Sequence, residues 1–256
     1  MTNAQTPARS TFTRWLSALL LFGISFGFVE AAVVVYLRDI YDPIHARLNP
    51  HKEPGDIFPI LRPDQLQDEG PERVRGAIVE LAREAATLGL IAALGLALAS
   101  NARQWFAAFA VSFGLWDIFF YVFLKLILDW PESLLTWDLL FLIPVPWVGP
   151  VIAPVIVSVS MIAAGTAVLW RECEGRPLRV SALHWAAMAA GALVLVAAFI
   201  WDAKNIMIGD LPHPFHWPLF WLGEALGAAA FLHAWWSSRS LIHQTTPGRG
   251  SPGEPA

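Results

Sequence analysis

The sequence predicts an all-α polytopic membrane protein with six transmembrane helices plus one short interfacial or re-entrant helix. Three observations lead there. Only 15% of the 256 residues are charged and 56% are hydrophobic, whereas a soluble domain needs roughly a quarter of its residues charged to cover its surface. The apolar residues gather in six stretches of about 20 residues, the length an α-helix needs to cross the hydrocarbon at about 1.5 Å per residue. Twelve of the thirteen Trp lie at or near the ends of those stretches or in the segments between them, where amphipathic rings favour the headgroup level. Trp116 is the exception.

The stretches are residues 15–37, 74–99, 105–128, 151–170, 183–201 and 217–236, all rich in Ala, Leu, Val and Gly, and 15–236 reads as a single membrane domain. The first stretch is too long for a signal-peptide core and lacks a small-x-small cleavage site, so it reads as a retained anchor. The connection 38–72 contains Pro43, Pro50, Pro54, Pro59, Pro63 and Pro71, which argue against a continuous helix. It is long enough to fold over the outer face, with Ile57, Phe58, Ile60 and Leu61 supplying apolar contact. Segment 131–143 is helical in character, with Asp129 placed to cap it and Pro131 in its first turn. At ~20 Å it is too short to cross. Residues 1–14 read as a tail, as do 237–256, whose end is Gly, Pro and Ser with little apolar content and is expected to be disordered.

Six crossings put both termini on one side. The loops and tails of that side carry eight Arg against three Glu, and those of the other side carry seven basic residues against thirteen acids. The positive-inside rule therefore places both termini in the cytoplasm, and short loops without disulfides fit a bacterial inner membrane. The single Cys173 excludes an internal disulfide and a thiolate metal cage. A net charge of -4 offers no basic field for nucleic acid. The expected partners are the lipid bilayer and a lipophilic small-molecule substrate.

The spans nevertheless contain ionisable side chains, each costing about 2.5–3.5 kcal/mol at bilayer depth. At 1.5 Å per residue, Glu30, Glu84 and Glu224 lie ~12–16 Å below the outer ends of their helices, and Asp117 lies ~18 Å from either end of its own. Four helices thus bring an acid to similar depth. Glu80 and Glu84 share a helix face, and Arg83 is placed to pair with Glu80 three residues back. Asp117, Tyr121 and Lys125 follow a spacing of four, so one stripe of the third span carries an acid, a phenol and an amine.

Acids held away from bulk water suit general acid/base work or proton relay. The leading expectation is an enzyme acting on a lipophilic or headgroup-borne substrate from the outer leaflet. Glu84 or Asp117 would serve as acid or base, with Arg83 and Lys125 stabilising anionic charge and Glu30, Glu80, Tyr121 and Glu224 completing the site. The same acids would also serve a proton- or cation-coupled transporter or channel, or would simply lock the helices of a non-catalytic subunit or assembly factor. His213 and His216 are candidate ligands for a divalent metal, with carboxylates completing the set. Gly23-Ile24-Ser25-Phe26-Gly27 matches G-x-S-x-G, but inside a membrane helix it cannot form the strand-turn-helix elbow of a hydrolase. Its small residues point to a close helix contact.

Overall fold

In a computed structural model of the chain, residues 5–48, 50, 61–210 and 212–244 are described. In chain order the elements are α1 (Gln5–Leu48), α2 (Pro63–Asp68), α3 (Pro71–Leu98), α4 (Ala102–Leu128), β1 (Trp137–Phe141), β2 (Trp147–Pro150), α5 (Ile152–Cys173), α6 (Ala182–Ile200), α7 (Ala203–Met207) and α8 (Trp217–Gln244). Among the described residues, five helices are long and apolar enough to cross a membrane: α1, α3, α4, α5 and α6 with its extension through α7. Their outward faces are apolar, with Leu21, Leu96, Leu126, Leu183 and Leu193 each at least 68% exposed. Such surface suits lipid rather than water.

The expected count of six crossings is therefore met by five on length and apolarity. The remaining helix, α8, is long enough, but Glu224 and His233 interrupt its apolar run. The expected terminal tail and outer loop both contain helical backbone. Helix α1 already begins at Gln5 and continues through Pro43 to Leu48, so much of 1–14 and the first part of 38–72 are helical. A proline inside a helix removes one hydrogen bond and crowds the preceding turn. Burial of Ile44 and an Arg47–Glu69 ion pair to the segment before α3 hold the extended end in place. Leu61 is buried. Ile57, Phe58 and Ile60 lie outside the described residues, as does the chain from 245 onward.

Segment 131–143 is not a helix. Asp129 closes α4 in the left-handed region (φ 53°) instead of capping a new helix, and the chain turns before entering β1. Strand β1 pairs antiparallel with β2, with Asp138 opposite Gly149 and Phe141 opposite Trp147. Pro144, Pro146 and Pro150 keep the second arm out of a helix, and the first arm then finds its backbone partners across the hairpin. The same ladder satisfies the start of α5: Val151 N–H donates to Thr136 O (3.0 Å) and Ile152 N–H to Leu134 O (2.7 Å).

Helix α4 is the centre of the bundle. Its most apolar window is 61% buried, against 17–28% for the other four apolar helices. It packs against α1, α3 and α5, whereas α6 packs chiefly with α8. Small residues allow these approaches. A Cβ on Gly23 would lie 2.5 Å from Leu115 Cβ, and one on Gly223 2.8 Å from Gly191 O, so the G-x-S-x-G segment makes a close helix contact, and its partner is α4. At the far end of the α6–α8 pair, His184 Nε2 lies 2.8 Å from His233 Nδ1, which gives the polar group within α8 a partner.

Candidate functional site

The cavity that stands out has a volume of about 420 Å³ and is walled by α1, α3, α4, α5, α6 and the hairpin. Its polar wall begins with Glu30 of α1 and Glu80, Arg83, Glu84 and Thr87 of α3. The i, i+3 spacing delivers the Arg83–Glu80 pair: Arg83 Nε–H reaches Glu80 Oε1 and Oε2 at 3.0 and 2.9 Å. Arg83 Nη1 also donates across the bundle to Glu30, whose other oxygen accepts from Thr87 Oγ1 at 2.9 Å. One guanidinium thus bridges two carboxylates from two helices. Its planar fork suits that task better than a lysine ammonium would.

Glu84, one turn further along α3, is only 7% exposed and accepts from Leu142 N–H at 2.8 Å. This bond pins the hairpin to α3. Asp117, on the face of α4 that lines the cavity, accepts at Oδ2 from Ser158 Oγ of α5 at 2.7 Å. The remaining oxygen of each carboxyl has no hydrogen-bond partner given by the described residues. Four residues beyond Asp117, Tyr121 donates to Asp138 Oδ2 at 2.8 Å, and Leu139 N–H donates to Asp138 Oδ1, also at 2.8 Å. Arg38 completes the polar lining, its guanidinium 4.9 Å above the Trp130 ring.

The other walls are aromatic and aliphatic. Trp116 sits 5.2 Å from Phe113 and 6.2 Å from Phe141, Phe141 lies 5.7 Å from Trp147, and Trp147 stacks at 6.4 Å on Phe199. The indole N–H groups of Trp116 and Trp147 are buried with no hydrogen-bond partner among the described residues. Trp116, the one Trp inside a span, is therefore part of the site's wall.

Sequence spacing places Glu30, Glu80, Arg83, Glu84, Asp117 and Tyr121 at this cavity and misplaces the rest. Lys125 leaves the stripe: it is half-exposed and pairs with Asp129 at 2.7 Å beyond the end of α4. Glu224 is not in the cavity lining and instead accepts from Ser160 Oγ where α8 meets α5. His213 is turned towards Asp202 (Nδ1 to Oδ1, 2.9 Å), and His216 lies against the Trp201 ring at 4.3 Å. Among the described residues no three His, Cys, Asp or Glu side chains group closely enough to hold a metal ion. The proposed metal pair is thus two loop imidazoles with separate partners. Sequence reading gives Arg38 and Thr87 no place in the site, and Asp138 only a position above the stripe of Asp117 and Tyr121. Arg38 lies at the end of a predicted span, Thr87 is one turn beyond Arg83 on the same face, and Asp138 lies in a segment read as helix.

No protein-family model matches the chain, and no curated protein or solved structure matches it significantly. The chemistry of the cavity rests on its own residues.

Asp138 is the titratable group of this site that lies in the hairpin rather than in a spanning helix. Burial pushes its carboxyl up to about 6, against the Tyr121 and Leu139 donors that favour the charged form. A carboxyl raised in the folded state stabilises the fold most below its unfolded pKa, and that contribution is lost as pH rises through the folded value. Stability should therefore fall between about pH 4 and pH 6, by about 3 kcal/mol for this group. Asp138→Asn should flatten that segment, at a roughly constant cost of about 1 kcal/mol for the acceptor it loses. Thermal unfolding of both proteins from pH 4 to 8 checks this, and parallel curves would refute it.

Proposed function

We propose that the protein is a multi-pass membrane enzyme that holds an amphiphilic substrate in the central cavity and transfers protons through Glu84 and Asp117. One observation carries this reading: a single cavity joins carboxyl groups from α1, α3, α4 and β1 to an extended wall of aromatic and aliphatic side chains. Such a lining fits a molecule with a polar head and an apolar body. Glu84 and Asp117 are each oriented by one donor on a neighbouring element, with one oxygen left uncommitted. That arrangement suits a proton-transfer group, which must reach the proton it takes or gives. Glu30 and Glu80 are instead engaged by Arg83, so their part is to position α1 against α3. With Arg83 occupied and Lys125 outside the cavity, stabilisation of an anion by these two has no support.

In this reading α8 is the sixth crossing. It pairs with α6, and Ser160 partners Glu224, which lowers the cost of an acid at depth. Loop charges favour cytoplasmic termini and a cavity in the outer half of a bacterial inner membrane. The β-hairpin takes the place of the interfacial helix. Non-helical backbone is tolerated at that depth when its polar groups are satisfied by protein, as the hairpin ladder and Glu84 do here.

The test uses full-length protein in native-lipid nanodiscs, incubated with a total lipid extract that is then profiled by mass spectrometry. The wild type should convert at least one lipophilic species. Glu84→Gln and Asp117→Asn should each slow that conversion by about 10²-fold or more while assembling with wild-type melting behaviour. Full activity in both variants, or no converted species, would reject the enzymatic reading. Carboxylate-dependent proton or cation flux in proteoliposomes without conversion would establish the transport alternative in its place.

A further inference from the structure

We propose that the ligand of this cavity is an amphiphile whose head carries an ammonium group and, close to it, an oxygen acceptor. The ammonium meets Glu84 and Asp117, and the oxygen accepts from the indole N–H groups of Trp116 and Trp147. This deepens the reading above and rests on it only in taking the cavity as the ligand site.

Charge selects the head. Five carboxyl side chains line the cavity against two guanidinium groups, and Arg83 is spent on Glu30 and Glu80. An anionic head would face a surplus of carboxyl groups, with Arg83 engaged by Glu30 and Glu80 and Arg38 set over the Trp130 ring beside Asp138, whereas a cation would relieve that surplus. The aromatic faces around Asp117 add to the preference, because ring quadrupoles attract ammonium groups.

The acceptor follows from a separate observation. Trp116 is only 7% exposed, and its Nε1–H is buried without a partner among the described residues, as is that of Trp147 across the cavity wall. A buried donor left unmatched is costly and uncommon in folded proteins. Here two such donors belong to side chains that line one cavity. Neither nitrogen presents accessible surface to the cavity as it stands, so a hydroxyl or carbonyl oxygen on the ligand would satisfy them after a small turn of each ring, while a bare alkylamine would not. The apolar body of the ligand has Leu195, Val196 and Phe199 of α6 to lie against. Helix α3 packs on α2 and α4, and α6 on α8 and β2, so the two helices flank the cavity with no extensive packing between them. A chain can extend between them towards the bilayer.

Four probes with the same twelve-carbon chain separate the contributions: 2-amino-1-dodecanol, dodecylamine, 1-dodecanol and dodecanoate. Each is titrated calorimetrically into full-length protein in phosphatidylcholine nanodiscs, with empty nanodiscs subtracted. The amino alcohol should bind saturably, about tenfold or more tighter than the alcohol or the carboxylate, as expected for a hydrogen bond to a charged group. It should also bind more tightly than dodecylamine. A Glu84→Gln/Asp117→Asn variant should lose the preference for ammonium while keeping the affinity for dodecanol. Trp116→Phe/Trp147→Phe should remove the advantage of the amino alcohol over dodecylamine. If wild-type protein binds dodecanoate or dodecanol as tightly as the amino alcohol, the ammonium assignment is wrong and the cavity remains an amphiphile site. If no probe binds saturably, this proposal and the reading of the cavity as a ligand site both fall.

Discussion

Replacing Arg83 by Met should destabilise the protein by about 3–5 kcal/mol, the range found when one partner of a buried ion pair is removed. Two carboxylates depend on this guanidinium. The Glu30 side chain is 8% exposed and that of Glu80 16%, so without Arg83 two poorly solvated carboxyl groups would be left close together with no counter-charge. The loss reaches beyond α3, because the Arg83–Glu30 pair and the Thr87 hydroxyl are the polar links between α1 and α3 at this level. Neutralising the acids in the same background, as Arg83→Met/Glu30→Gln/Glu80→Gln, should restore most of the stability, since the penalty lies in the unpaired charges. Arg83→Lys should recover only part, because an ammonium cannot present the two-sided fork. Thermal unfolding in detergent gives the ranking. A wild-type melting temperature for Arg83→Met would show that the triad does not hold the helices.

The second large effect comes from one methyl group. A Cβ on Gly114 would lie 2.6 Å from the Ser158 carbonyl oxygen and 2.8 Å from Ile162 Cγ1. The carbonyl belongs to the α5 backbone and cannot rotate aside, so α5 must move away from α4. Gly114→Ala should cost about 1–3 kcal/mol, as overpacking of a tight core does. It should also weaken activity, because the displaced residue is Ser158, whose hydroxyl orients Asp117 one turn along α4. Gly89→Ala is the matched control. A Cβ there meets nothing within 4 Å, and in mid-helix the change should be neutral or stabilising by up to about 1 kcal/mol. Equal effects of the two substitutions on melting and on lipid conversion would contradict the packing described for α4 and α5.

Part of the site is legible in the chain because helix geometry is local. Residues three and four apart share a face, so Glu80 with Arg83 and Asp117 with Tyr121 follow from spacing alone. Depth along a straight helix is likewise a matter of counting, which brings Glu30, Glu84 and Asp117 to one level. Rotation about the helix axis is not a matter of counting. Counting gives Glu224 a depth like that of the others, yet it turns to Ser160, and Lys125 keeps the stripe's spacing but finds Asp129 past the end of the helix. Thr87 carries no charge to mark it, and its value to Glu30 exists only once α1 and α3 are side by side.

The hairpin shows the limit most clearly. Residues 129–143 carry a capping-type Asp, a proline and a run of Trp, Leu and Phe that a helix accommodates as well as a strand. What decides between them is the second arm, Trp147–Pro150, because a strand's hydrogen-bond partners lie on another segment and a helix's lie within itself. Asp138 enters the cavity with that hairpin.

The amino-acid sequence by itself determined that several helices are apolar and long enough to cross a membrane, and how the charged side chains are spaced along each of them, because these depend on transfer to a low-dielectric solvent and on a fixed rise per residue. The tertiary structure alone decided which charges meet: Arg83 with two acids, Asp117 with Ser158, and Asp138 with Tyr121. It also decided which two Trp side chains line one cavity. Those pairings depend on the rotation of each helix and on close approach at glycine, and both are set by neighbours far away along the chain.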